Sequence, residues 1–417
     1  MAWFQIFPDG PEYEARRRKG TFIPPDISLK QLRDAVPKHL TERPTSKSLY
    51  YILQHIAITV GVYWLGLHID STLHKFFITH PERKLLADLF LRPVLWLSYW
   101  SCQGFVFAGH WCLGHEAGHN ALSPFAAVNA LVGMSLHTFV LTPYHSWAIS
   151  HGHHHKSTNN VHRDVTYHPL TRNDLKLPDG KVAVKLDYLQ ILEETPAYTL
   201  YKLFVRNSIG FQLYLIRTRK GNSKYPAGIS HYDPKSPFFQ PSQRTSVIIS
   251  NAAILLMLCL LFTYGMRAGF SALGAHYLIP WLFAHNWIVT STYLQHSDPT
   301  IPYYRKDQWT FARGALATVD RPLFGWVGRV LLHNINSDHV AHHFFPMIPF
   351  YNLPGVTEAI KPVLGEYYNY DSTPVIWALW RSFTQCVFIE DEGDVVFFKN
   401  RSGEAMMEAK ISSGSAL

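Results

Sequence analysis

Cysteine is scarce in this 417-residue chain: four residues, Cys102, Cys112, Cys259 and Cys386, with no paired spacing. That excludes a disulfide framework and a cysteine-ligated metal site, and leaves the thiols as packing residues. Charged residues are also few, at 16% against 47% hydrophobic, which argues against an ordinary water-soluble surface. No GxGxxG or CxxCH string occurs, so no dinucleotide fingerprint and no covalent haem site is legible. Residues 1–48 are polar and charged with no apolar stretch, so no cleavable signal peptide is expected. The net charge of +8 comes without a basic stripe interleaved with base-stacking aromatics. It is assigned to loops facing anionic headgroups and not to nucleic acid.

What the chain does contain is long apolar runs. Leu49 to Leu67, Pro93 to Cys112, Ser246 to Met266 and Leu273 to Tyr293 each approach the roughly 20 residues needed to cross a bilayer as a helix. A fifth run, Val128 to Leu141, is short for a span and fits a re-entrant or interfacial segment. The expected fold is an all-α membrane protein with four transmembrane helices, re-entrant and interfacial helices, and a cytosolic helical cap. Nine Lys or Arg lie in the first 48 residues, and the connection Arg267 to Ala272 holds one. The positive-inside rule then puts both termini and the middle segment in the cytosol. The expected organisation is an N-terminal arm (1–48), a first hairpin (49–113), a cytosolic and interfacial region (114–245), a second hairpin (246–296), a further cytosolic region (297–398) and a disordered tail (399–417). Within the third of these, Val182 to Arg217 mixes apolar and charged residues, as a helix lying in the membrane interface does.

Three histidine clusters stand on the expected cytosolic side: HEAGH at 115–119, HGHHH at 151–155 and HVAHH at 339–343. On a helix, residues three and four apart share a face. His115 and His119, then His151, His154 and His155, then His339, His342 and His343 therefore present converging imidazoles. Eight such donors exceed what one ion accepts, so two metals are implied. His153 falls on the other face and is not expected to ligate. HEAGH alone fits the HExxH zinc-hydrolase pattern with Glu116 as base, a rival that leaves most of the other histidines unexplained. A dinuclear imidazole site at a membrane face points to iron and oxygen chemistry, because no side-chain acid or base removes a hydrogen from an unactivated methylene.

The strings SLYYILQH, GHEAGHNALSP, TSTYLQHSDP, RGALATVDR and HNINSDHVAHHFFPMIPFYNLPGVTEAIKPVLGEYY closely resemble the membrane-bound acyl-lipid fatty acid desaturases, in particular the delta-12 (oleate) branch of fungi and plants. With PPDISLKQLRDAVPKH included, the resemblance runs from about residue 23 to 398. It implies a multi-pass endoplasmic reticulum enzyme that desaturates membrane-lipid acyl chains with O2 and two non-haem irons, taking electrons from cytochrome b5 and its NADH-dependent reductase. It assigns the three histidine boxes to the eight residues above and suggests His296 as a ninth ligand. His333, Asp338 and Asp164 are expected at most to support ligands. The chain departs from the family pattern at Ala117 and Asn120 and in NNVHRDVTYHPLT. Diverged outcomes (hydroxylase, acetylenase, conjugase, omega-3 desaturase) are therefore alternatives to delta-12 desaturation, as are a sterol or alkane hydroxylase and a non-catalytic scaffold.

Overall fold

Two hairpins of long helices form the frame of this computed structural model, which describes residues 8–220, 222 and 224–410. The first hairpin pairs Thr45–Thr79 with Arg92–Gly118, and Arg244–Ala268 opens the second. The returning arm of the second hairpin runs through Phe270–Leu273 and a π-turn, Gly274–Leu278, into Ile279–His296. At 1.5 Å per residue the 35-residue first helix is about 52 Å long, more than a bilayer core requires.

The outer arms expose apolar side chains all along their length, including Leu53, Val60, Trp64 and Leu65 on one and Leu255, Leu256, Leu260 and Phe262 on the other. In lipid such exposure carries no penalty. By length and apolar composition only these two, Thr45–Thr79 and Pro241–Ala268, qualify as membrane spans among the described residues. The bent pair Ala126–Phe139 and Tyr144–His155 adds a third if it is one broken span. The expected count of four is thus not reached on this criterion. The physical reason is that the inner arms carry buried polar residues, Gln103 and His110 on one and His285, Thr290 and Gln295 on the other. These residues bond to neighbouring helices and not to lipid: His110 Nε2 lies 2.9 Å from Thr59 Oγ1, and His285 Nε2 3.0 Å from Gln212 Nε2. The arms approach closely at Gly104, where a Cβ would collide with Phe283 and the Pro280 carbonyl.

The Val128 to Leu141 run ends in a sharp bend. Its helix meets the next at 105°, with Leu141 at φ 57°, left-handed backbone that non-glycine residues seldom adopt, followed by Pro143. Pro196–Ile216 lies against Ile279–His296; Pro196 occupies its first turn behind the Thr195 cap, a position where proline costs no hydrogen bond. Its outer face exposes Leu200, Tyr201, Phe204 and Ile216.

The second half of the chain packs over the histidine-bearing ends of these helices. Leu113, Ala117, Leu122, Tyr144, Val340, Phe344, Val356 and Ile360 form one buried cluster, each large member contributing roughly 1.5–3 kcal/mol of burial. Arg321 donates to Asp371 at 2.5 Å and to Asp298 at 2.9 Å, and Arg381 donates to Asp371 at 2.5 Å. This ionic knot joins the RGALATVDR segment to the C-terminal helix Val375–Gln385. The N-terminal arm docks on it through Arg16, which donates to Thr300 at 3.1 Å, and through Asp9, which pairs with Arg381. The stretch from 399 expected to be a tail is structured as far as 410: Glu408–Ala409 pairs in parallel with Thr21–Phe22. The remainder of that stretch, 411–417, lies outside the described residues.

Candidate metal centre

Three helices deliver their C-terminal ends to one point. His115 is in the last turn of Arg92–Gly118 and His119 caps it; His151, His154 and His155 close Tyr144–His155; His296 ends Ile279–His296. A helix C-terminus carries a partial negative charge, which favours a cation beside it. The short helix His339–Phe344 supplies the remaining three histidines from across the site.

Five imidazoles, His115, His119, His151, His155 and His342, place one ring nitrogen each within 4.8 Å of the others, and His154, His296 and His343 do the same as a second group. His339 joins the second group, its Nε2 3.0 Å from that of His296. The groups are adjacent, since the His155 and His343 rings stack at 4.1 Å. All nine sequence-predicted positions are therefore brought together. His153 is not: its ring lies parallel to Tyr225 at 5.8 Å, on the opposite face as the spacing predicts. His333 is also elsewhere, its Nε2 3.2 Å from Nδ1 of His55, whose own Nε2 donates to the Val106 carbonyl.

The arrangement fits cations. Burial and the neighbouring imidazoles push the pKa of His339, His342 and His343 well below the usual value, so these rings are neutral donors at pH 7. Nε2 of His154, His342 and His343 is buried with no hydrogen-bond partner, a costly state that a metal ion relieves. Nε2 atoms also face one another at 3.3 Å between His115 and His119 and at 3.0 Å between His151 and His155. Imidazole-rich donor sets of this kind suit iron, zinc, copper or nickel.

Carboxylates stand behind the rings. Asp164 accepts from His154 Nδ1 at 2.9 Å and from the backbone of Asn159 and Thr166. Burial raises its carboxyl pKa, but His154 and these bonds outweigh that and hold it below the ordinary range. Glu116 was legible only as a hydrolase base. Its Oε1 instead lies 3.3 Å from Nδ1 of His115 and 3.6 Å from Nδ1 of His342, while Oε2 accepts from Phe350 N at 3.1 Å. It lies buried beside both rings, and burial pushes its carboxyl pKa up to about 8. The one signal for this was its place next to a ligand, which does not reveal a partner 226 residues away. Asp338, expected to orient a ligand, pairs with Arg329 at 2.7 Å.

A cavity of about 210 Å³ abuts the histidines. His115, His151, His154, His296 and His339 line it together with apolar Trp111, Trp147, Phe211, Ile288 and Val289 and with polar Thr166, Arg206, Thr292 and Gln295.

The fatty acid desaturase family profile matches residues 93–374. The chain is 38% identical to a delta-12 fatty acid desaturase of Mortierella isabellina, covering 90% of this chain and 91% of the relative. It is 36% identical to an oleate hydroxylase of Claviceps purpurea, covering 91% and 82%. It is 34% identical to an endoplasmic reticulum omega-6 fatty acid desaturase of Brassica juncea, covering 88% and 89%. The chain belongs to the membrane fatty acid desaturase family.

Proposed function

We propose that this oxidoreductase introduces a cis double bond into an acyl chain of a membrane lipid, converting oleoyl to linoleoyl groups by delta-12 desaturation. The observation that carries the reading is a largely apolar cavity lined in part by ligand-type histidines. The nine histidines would hold two non-haem irons, five imidazoles on one and four on the other. With O2 and two external electrons, such a centre supplies an oxidant strong enough to break an unactivated C–H bond. The protein's own work is placement and exclusion. Trp111, Trp147 and Phe211 hold methylenes against the histidine wall and keep water out, so that little of the entropy of alignment is left to the reaction. Asp164 keeps the Nδ1 proton of His154 in place, which leaves its Nε2 for the metal.

On this reading the chain crosses the endoplasmic reticulum membrane four times, with both termini in the cytosol, where cytochrome b5 and its NADH-dependent reductase deliver electrons. The two inner arms cross as parts of hairpins, their polar faces turned to neighbouring helices. The resemblance to an oleate hydroxylase at nearly equal identity keeps hydroxylation as the second reading.

The test is expression in a yeast that makes oleate but no polyunsaturated lipid, with mass spectrometry locating every new double bond or hydroxyl group. Linoleate is expected. A hydroxylated, acetylenic or omega-3 product replaces the delta-12 assignment, and no product from iron-loaded protein contradicts oleoyl lipid as the substrate.

A further inference from the structure

Two of the ligand-type imidazoles in this site are held by a hydrogen bond at the nitrogen facing away from the group. His154 donates from Nδ1 to Asp164, and Nδ1 of His343 lies 3.2 Å from Thr158 Oγ1. His296, like His115, His155, His339 and His342, lacks such a bond. Its Nδ1 is buried without a hydrogen-bond partner, and its ring is free to turn about the last side-chain bond as far as hydrogen bonding is concerned. What meets the ring instead is a face: Tyr167 stacks on it with centroids 4.5 Å apart and planes 21° from parallel.

Tyr167 is itself fixed at its backbone. Its N–H reaches Asp164 Oδ1 at 3.3 Å and its carbonyl accepts from Tyr303 Oη at 3.2 Å. Asp164 thus orients His154 directly and His296 through Tyr167, so one carboxylate organises two members of the second histidine group. Tyr167 also lines the cavity beside Thr292 and Tyr293. The same ring that holds His296 is therefore a wall against which an acyl chain would lie.

We propose that Tyr167 is a positioning residue for His296, its aromatic face doing for this imidazole what the Asp164 carboxylate and the Thr158 hydroxyl do for His154 and His343. The inference rests on the two-iron reading above. It requires the ring and not the phenol hydroxyl. Tyr167→Phe keeps the stack; Tyr167→Leu removes it and leaves His296 loose against the cavity.

The experiment is anaerobic loading of purified full-length protein with ferrous iron, followed by a chelator challenge and counting of retained iron per chain. Tyr167→Phe is expected to match the parent protein. Tyr167→Leu is expected to lose iron from one of two positions at least about 10-fold more readily, the low end of effects seen when a ligand's supporting residue is removed, while the five-histidine group keeps its ion. Tyr167→Met, which fills similar space without a flat ring, should behave as Tyr167→Leu and serves if the leucine variant does not fold. Retention of both irons in the leucine and methionine variants at the parent rate, or equal loss in Tyr167→Phe, overturns the proposal. If the parent protein itself binds no iron, the two-iron reading fails; if it binds two and the leucine variant is unaffected, only the role of Tyr167 fails.

Discussion

Asp164 Oδ1 lies 2.9 Å from Nδ1 of His154, both groups fully buried. This contact fixes the imidazole with its proton on Nδ1 and turns an unpartnered Nε2 into the site. Asp164→Ala is expected to weaken metal retention by about 10–100-fold. Asp164→Asn, which keeps an acceptor but not the charge, should recover part of it. Iron per chain after dialysis against chelator measures both; parent-like retention in Asp164→Ala would remove the carboxylate from the account.

The histidine assignment itself predicts a contrast within one box. His154→Ala or His342→Ala should abolish product formation and reduce bound iron. His153→Ala, altering a ring that faces Tyr225, should leave both unchanged. Equal loss at His153 shows the ligand set to be wrong.

Much of this site was legible because helical spacing alone puts His115 with His119 and His151 with His154 and His155. Distances across the chain were not. Glu116 reaches His342 only because His339–Phe344 packs beside the end of Arg92–Gly118, and Asp338 turns away to Arg329; neither follows from neighbours in sequence. The apolar runs located all four long hairpin arms. Apolarity could not say which arms turn to other helices, since Gln103, His110 and His285 reveal their helix-facing roles only when the partners Thr59 and Gln212 are in place. The order in residues 399–410 depends on a two-residue pairing with Thr21–Phe22, too short to leave a period in the sequence.

The ionic knot of Arg321 with Asp298 and Asp371 is buried. Removing one partner leaves charges uncompensated, so Arg321→Ala is expected to cost about 3–5 kcal/mol. Thermal unfolding in detergent, compared with the exposed control Arg92→Ala, reads it. A loss no greater than the control's would show the knot to be dispensable.

The same knot sets an acid limit. Burial raises the Asp371 carboxyl pKa, but Arg321 and Arg381 outweigh it and hold the group below the ordinary range. A depressed folded-state pKa contributes stability that is present above the unfolded value, about 3.9 for aspartate, and is lost as pH falls below it. The unfolding midpoint should therefore drop as pH falls below about 4, and Asp371→Asn should flatten that dependence. An equally steep acid loss in Asp371→Asn would assign it to other groups.

Close packing of the hairpins at Gly104 gives a further expectation. A methyl there meets Phe283 and the Pro280 carbonyl, so Gly104→Ala should destabilise by about 1–3 kcal/mol. Unchanged thermal stability would mean that the two inner arms part more easily than the packing implies.

Metal counting on the unaltered protein tests the central claim most directly. The full-length chain, expressed with iron available and purified in detergent, should hold about two irons, one for each histidine group, with His342→Ala and His154→Ala each lowering the count. One zinc per chain, retained with HEAGH intact and indifferent to His154→Ala and His339→Ala, would contradict the two-iron account.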